Sequence, residues 1–190
     1  MGAVFPPTGT PHFVIRHCIT EGHPAALPSA EYIQLRAKHL DARELLRRAR
    51  WLRQHFPGKL LINDRFDIAL AAGAHGVHLP ANRLAPNVWK QRFGAGLMIG
   101  VSCHSLADVL QAAAEGADYV YLSPIFPSPS KPGYGPPLGL DVLAEAARRS
   151  PIPVLALGGV NDGNIPQCLA AGAAGFASIS YFETKTGGYG

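Results

Sequence analysis

The residues best suited to chemistry stand at the ends of short apolar runs. In 31–37 (EYIQLRA), Gln34 and Arg36, followed by Lys38, alternate with Ile33 and Leu35. Period-two spacing puts an amide and two cations on one face and the aliphatics on the other. A central parallel strand is buried on both faces, so polar groups there need partners or a role. The next run, 59–63 (KLLIN), ends in Asn63-Asp64-Arg65. Asn63 is suited to donate to a ligand. Asp64 is suited to Mg²⁺ or a hydroxyl, and equally to capping the helix that follows.

Further along, the run 97–102 ends in Ser102-Cys103-His104-Ser105. Alternation sets Ser102 and His104 on one side and Cys103 on the other, which argues against a Cys103–His104 nucleophilic pair. His104 is the first candidate general acid/base, with a structural histidine as the alternative. His78 in GVHL is the second, with the same alternative. No further Cys or His accompanies His75 and His78 at zinc-site spacing. The loop from Ser123 to Gly135 is rich in proline and glycine and carries Ser128, Ser130 and Lys131, two hydroxyls and an ammonium spaced to meet an anion. Gly158-Gly159 follows another apolar run, where backbone N–H groups can approach phosphate oxygens. Ser180 ends the last run, beside that pair.

These positions make sense only if the elements bring them together. Eight strand-like runs are expected at 13–19, 31–37, 59–63, 76–79, 97–102, 118–122, 153–157 and 175–180. Helical patterns lie at 41–55, 66–72, 86–92, 105–115, 139–149 and 163–171. ALAAGAHGVHL, AAAEGADYVYL and CLAAGAAGFASI repeat one joint, an Ala-rich helix, a Gly-Ala turn and a strand; Gly73, Gly116 and Gly172 fit left-handed helix ends. Alternating strands and helices imply a parallel sheet, and eight strands imply closure. The fold class expected is therefore α/β, a single TIM (β/α)8-type barrel, with catalytic groups at the C-terminal strand ends. Two joints depart from the ideal. TEGHPAALPSA, with two prolines, predicts an irregular connection in place of the first helix, and YFETKTGGYG is too short and glycine-rich for a last one. One domain over 1–190 is expected, with 1–11 and 183–190 as flexible termini and a barrel flank open to a second copy, as in a homodimer.

The whole-chain numbers exclude several classes. With 47% hydrophobic and 16% charged residues, the 190-residue chain has a globular balance. No apolar run is long enough to span a bilayer, and MGAVFPPTGTP lacks the pattern of a secretory signal, so the expected setting is cytoplasmic, with no membrane partner. A net charge of +4 favours anionic ligands. Arg43, Arg47, Arg48, Arg50 and Arg53 share one helical segment and read as its solvated face, and no nucleic-acid motif accompanies them. Cys18, Cys103 and Cys168 read as buried packing.

Taken in order, QLRAK, NDRFDIALAAGAHGVHL, IGVSCHS, GADYVYLSPIFPSPSK and VLALGGV…AGAAGFASIS resemble the thiamine-phosphate synthase/TenI superfamily over about 31–180. The resemblance implies one of two activities. The synthase joins a pyrimidine diphosphate to a thiazole phosphate with Mg²⁺ and releases pyrophosphate; the TenI-type tautomerase shifts a proton on a carboxythiazole phosphate and needs no cofactor. It also implies roles. Gln34, Arg36, Lys38 and Asn63 match the pyrimidine-diphosphate pocket, Ser102 and Lys131 its pyrophosphate side, and Ser128 and Ser130 stand where threonines are usual. Gly159 and Ser180 match the thiazole-phosphate cradle, beside Gly158, and Asp64 matches one of two Mg²⁺ aspartates. At the second aspartate stands Arg83, a cation expected to repel Mg²⁺, in LPANRLAP, which resembles TenI-type proteins. At the tautomerase's histidine stands Pro124, so His104 or His78 would take that work. The expected function is a TenI-like thiazole tautomerase of thiamine biosynthesis, with the synthase as the alternative and a non-catalytic thiazole or thiamine phosphate-binding regulator as the third reading.

Overall fold

The computed structural model describes residues 14–22, 26–94, 96–127 and 136–182. Eight strands follow one another: β1 (Ile15–Thr20), β2 (Tyr32–Leu35), β3 (Lys59–Asn63), β4 (Gly76–Leu79), β5 (Met98–Cys103), β6 (Tyr119–Leu122), β7 (Val154–Ala156) and β8 (Gly175–Ser178). Each pairs parallel with the next, and β8 pairs back onto β1, closing the barrel. Six helices lie between them: α1 (Ala42–His55), α2 (Phe66–Ala72), α3 (Pro86–Phe93), α4 (Leu106–Ala114), α5 (Gly139–Arg149) and α6 (Ile165–Ala170). Every expected element forms, with ends within two residues of those expected; β1, β5 and α3 each run one residue further at the C-terminal end.

The local reasons are visible in the sequence. The Asp41 carboxylate accepts from the Glu44 N–H at 2.8 Å and starts α1; the Ser105 hydroxyl accepts from the Asp108 N–H at 3.1 Å and starts α4. Gly73, Gly116 and Gly172 sit at φ 64°, 88° and 90°, so the three repeated joints share one left-handed turn. Arg47 and Arg48 pair with Glu44 along α1, while Arg53 Nε donates to Gly73 O at 2.9 Å and ties α1 to α2. The basic face of α1 is thus a solvated face with a packing job.

Alternation along the strands makes two cores. Outward residues such as Ile33, Leu35, Val77, Val101, Cys103 and Leu122 pack under the helices, and Cys18 and Cys168 are buried with them. Inward residues, among them Ile19, Tyr32, Leu61, Met98, Tyr119, Tyr121 and Leu155, fill the barrel. Gly100 on β5 makes room for Tyr119: a methyl group there would overlap the phenol ring.

Among the described residues no helix joins β1 to β2, as the prolines predict. A helical turn at 180–182 follows β8; the remaining residues on which the missing last helix and flexible termini were expected, 1–11 and 183–190, lie outside the described residues. A groove of about 530 Å³ runs along the flank expected to be open, lined by Val14, Arg16, Glu31, Ile165, Leu169 and Phe176. No described helix is long and apolar enough to cross a membrane.

Candidate functional site at the barrel mouth

The C-terminal ends of β2 and β3 carry the charged part of the site. β2 ends at Leu35, earlier than its pattern suggests, so Arg36 lies just past the strand and Lys38 in the turn beyond, exposed. Among the described residues no side chain hydrogen-bonds or pairs with either cation. Asp64 is exposed, yet partial desolvation of its carboxyl raises its pKa, and the nearby Lys38 ammonium pulls it down by less. Asp64 sits at φ 55°, a left-handed backbone that a non-glycine residue adopts at a cost, and its N–H donates to His78 O at 3.0 Å. Its alternative role as a helix cap does not hold. The N-cap of α2 is Arg65, whose side chain pairs with Asp67 instead.

Inside, the polar side chains are joined. Gln34 is 1% exposed, with Nε2 donating to Asn63 Oδ1 at 3.0 Å and Oε1 accepting from the Tyr121 hydroxyl at 3.1 Å. The expectation that Gln34 lines the mouth beside Arg36 is therefore corrected: the parity is right, but Gln34 lies one layer deeper, under Asn63. His78 is also buried. Its Nδ1 bonds the Tyr119 hydroxyl at 3.0 Å, its Nε2 bonds Ser102 Oγ at 2.9 Å, and its ring stacks on Tyr121 with centroids 4.0 Å apart. Burial, with help from Arg36, pushes its pKa down to about 3, so the ring is neutral. His104 stands higher: its Nδ1–H donates to Ser123 O at 2.8 Å, and its backbone N–H donates to the Asp108 carboxylate at 2.9 Å.

Arg83 does not behave as a loose cation. Its Nη2 donates to Glu115 Oε2 at 2.9 Å with the side chain only 10% exposed, and Gln111 donates to the other oxygen of Glu115 at 2.8 Å. The positive charge expected to repel a metal at this position is offset by a carboxylate from the end of α4, and Arg83 itself remains no metal ligand.

The opposite rim is glycine. Gly158 and Gly159 sit at φ 90° and 66°, and their N–H groups donate to no described residue. Their Cα faces press on the β6 loop: a methyl group on Gly159 would lie 2.5 Å from Pro127 O, and one on Gly158 2.9 Å from Pro124. The loop is zipped to β7 by Ile125 N–H to Leu157 O at 2.9 Å and Phe126 N–H to Gly158 O at 3.1 Å. The glycines are needed for this close approach. Ser180, beside them, is exposed at the start of the final helical turn. Ser128, Ser130 and Lys131 lie outside the described residues.

The arrangement brings Arg36, Lys38, Asn63, Asp64 and Ser102 to one sector and Gly158, Gly159 and Ser180 to the β7–β8 sector of the same mouth. One barrel mouth thus carries two sectors whose groups are suited to anions. Sequence reasoning missed His17, Tyr119 and Tyr121 as parts of the polar interior. The signal was available: GADYVYL places both tyrosines on the same parity as the mouth residues.

A family model for thiamine monophosphate synthase matches residues 14–182, and the chain belongs to that family, whose place is thiamine biosynthesis. A relative from Geobacter sulfurreducens is 51% identical over 151 residues, 78% of this chain and 71% of that one. A thiamine-phosphate synthase from Methanoculleus marisnigri is 44% identical over 159 residues, 82% of this chain and 75% of its own. Among solved structures, a thiamine phosphate pyrophosphorylase from Pyrococcus furiosus superposes with a TM-score of 0.77 at 30% identity, covering 91% of this chain and 92% of that one.

Proposed function

We propose that this chain is a thiamine-phosphate synthase, which couples a pyrimidine diphosphate to a thiazole phosphate and releases pyrophosphate. The observation that carries it is the sector formed by Arg36, Lys38 and Asp64: two cations without a side-chain partner among the described residues, beside one carboxylate, suit a diphosphate with a divalent ion. The names of the relatives support the same choice. Of the two activities expected from the sequence, this was the second. Against the tautomerase stand Pro124, which moves no proton, and His78, whose two ring nitrogens are both engaged inside the barrel.

In this reading Arg36 and Lys38 hold the diphosphate and stabilise the charge that grows on it as its bond to the pyrimidine breaks. Asn63 and Ser102 orient the pyrimidine side. The N–H groups of Gly158 and Gly159, with Ser180, hold the thiazole phosphate on the facing sector, so that the two reacting ends meet at the centre. The described residues contain no group of three carboxylate, histidine or cysteine ligands. Mg²⁺ nevertheless fits, because it is commonly held by one or two carboxylates together with substrate phosphates, and Asp64 is such a carboxylate. When bound, the ion supplies further neutralisation of the leaving diphosphate. The tyrosine floor and the loop pinned on Gly158 and Gly159 keep bulk water from the centre. A cytoplasmic setting and small-molecule partners belong to the same reading.

The test supplies both phosphorylated precursors with Mg²⁺ and measures thiamine phosphate and pyrophosphate. Equal amounts of the two products are expected. Neither product, alongside a faster ultraviolet change of the non-aromatic thiazole phosphate, would hand the site to the tautomerase.

A further inference from the structure

Three consecutive peptide groups along the glycine rim share one arrangement. The Leu157 carbonyl accepts from the Ile125 N–H at 2.9 Å, and the Gly158 carbonyl accepts from the Phe126 N–H at 3.1 Å. The Gly159 carbonyl accepts twice, from Asn164 Nδ2 at 2.9 Å and from Asn161 Nδ2 at 3.3 Å. The N–H groups of the same three peptides, on Gly158, Gly159 and Val160, have no partner among the described residues. Each carbonyl of the stretch is thus engaged by protein while each N–H is left over, although Val160 itself is buried. A run of backbone that offers only donors suits an anion.

The first two carbonyls are held by the backbone of the β6 loop. The third is held by two side chains from the loop that leads into α6. Their amides cannot be exchanged end for end, because both ends meet backbone groups of fixed role. Asn161 Oδ1 accepts from the Gly163 N–H at 2.9 Å, Asn164 Oδ1 accepts from the Asn161 N–H at 2.8 Å, and the Gly159 carbonyl oxygen can only accept. The peptide between Gly159 and Val160 needs such a hold. Gly159 sits at φ 66°, and a glycine lets the peptide after it turn over at little steric cost. The C=O and N–H of a trans peptide point in opposite directions. Turning it over would put an oxygen where the Val160 N–H now stands, and the rim would meet an anion with an acceptor.

We propose that Asn161 and Asn164 are positioning residues of the phosphate rim: by holding the Gly159 carbonyl on the α6 side they aim the Val160 N–H, as a third donor beside those of Gly158 and Gly159, at the bound phosphate. Neither asparagine touches the ligand in this arrangement. The inference rests on the synthase reading only for the identity of the ligand as a thiazole phosphate.

Inorganic phosphate is the first probe, since it needs neither ring. Followed by nitrogen-15 NMR, it should shift the backbone N–H resonances of Gly158, Gly159 and Val160 in the wild type. Asn164→Ala removes the shorter of the two bonds. It should weaken phosphate binding roughly three- to ten-fold and abolish the Val160 shift at saturation. Asn161→Ala removes the longer bond from an exposed side chain and should weaken binding in the same direction, which covers the case of an Asn164 variant that folds poorly. In turnover, KM for the thiazole phosphate should rise by a similar factor while KM for the pyrimidine diphosphate stays unchanged, a split that general loosening of the barrel would not give. Wild-type phosphate affinity in both variants, or a Val160 resonance that phosphate does not move in the wild type, would overturn the proposal. If the phosphate titrations come out as expected and the wild type makes no thiamine phosphate, the synthase reading falls and the role of the two asparagines stands.

Discussion

Arg83 is held by Glu115, and that decides what its replacement does. Arg83→Asp places a second carboxylate against Glu115 in a nearly closed site and gains no metal ligand. The expected outcome is a loss of about 1–3 kcal/mol in urea unfolding at neutral pH, with no new Mg²⁺ dependence of activity; a variant as stable as the wild type would contradict it. Arg36 has the opposite standing, since no described protein carboxylate depends on it. Arg36→Ala should leave the unfolding midpoint within error and raise KM for the diphosphate substrate about 10- to 100-fold, because charge-assisted hydrogen bonds are among the stronger ones. At this scale the sequence was most readable where a polar residue interrupts an apolar run, as at Arg36, Asn63 and Ser102. It was least readable where one side chain serves both as packing and as a hydrogen-bonding group. Tyr119 and Tyr121 look like ordinary core residues, and they are core residues; only the three-dimensional neighbourhood shows that their hydroxyls connect His78 to Gln34. The partner of Arg83 was equally hidden, because Glu115 is 32 positions away and meets it only through the closure of β4 onto β5.

The helix-to-strand joint is the element that the chain repeats, and the copies differ where the barrel needs them to. After the left-handed glycine, the first strand residue is Gly76, Tyr119 or Gly175. Methyl groups on Gly76 and Gly175 would overlap the neighbouring backbone at Met98 and Ile15, whereas the Tyr119 ring is received by Gly100 on β5. Gly100→Ala should therefore displace the Tyr119 ring and weaken its bond to His78. We expect a loss of about 1–3 kcal/mol, with a further drop in affinity for the pyrimidine substrate as Ser102 loses its fixed partner. Differential scanning calorimetry with ligand titration measures both; a thermally unchanged Gly100→Ala would show that the ring has another place to go. Element positions were legible because the strand and helix periods differ and the caps are standard residues. The end of β2 was less legible, since QLRAK alternates past the last paired residue, Leu35, and alternation alone does not mark where pairing stops.

Two buried histidines couple the whole molecule to pH. Burial holds His17 and His78 far below the ordinary histidine value, His78 at about 3. In the unfolded chain both titrate near 6.5, so below that pH the unfolded state binds more protons than the folded one. Stability is complete above about pH 6.5 and is lost as the pH falls toward 3, at up to about 1.4 kcal/mol per pH unit for each histidine. Chemical unfolding at pH 7 and pH 5 should show this loss, and His78→Gln should flatten the slope; a pH-independent midpoint would count against neutral, buried rings. The closed eightfold barrel was legible from the strand count, but its filled interior was not. That filling has a consequence for traffic. His17, Tyr32, Tyr119 and Tyr121 block the lower lumen with rings whose centroids lie 4.3–5.6 Å apart, so the barrel is a cup with one door. If the chain catalyses the coupling proposed above, whatever settles against the floor will be trapped by whatever arrives after it, and the joined product will have to leave through the same opening.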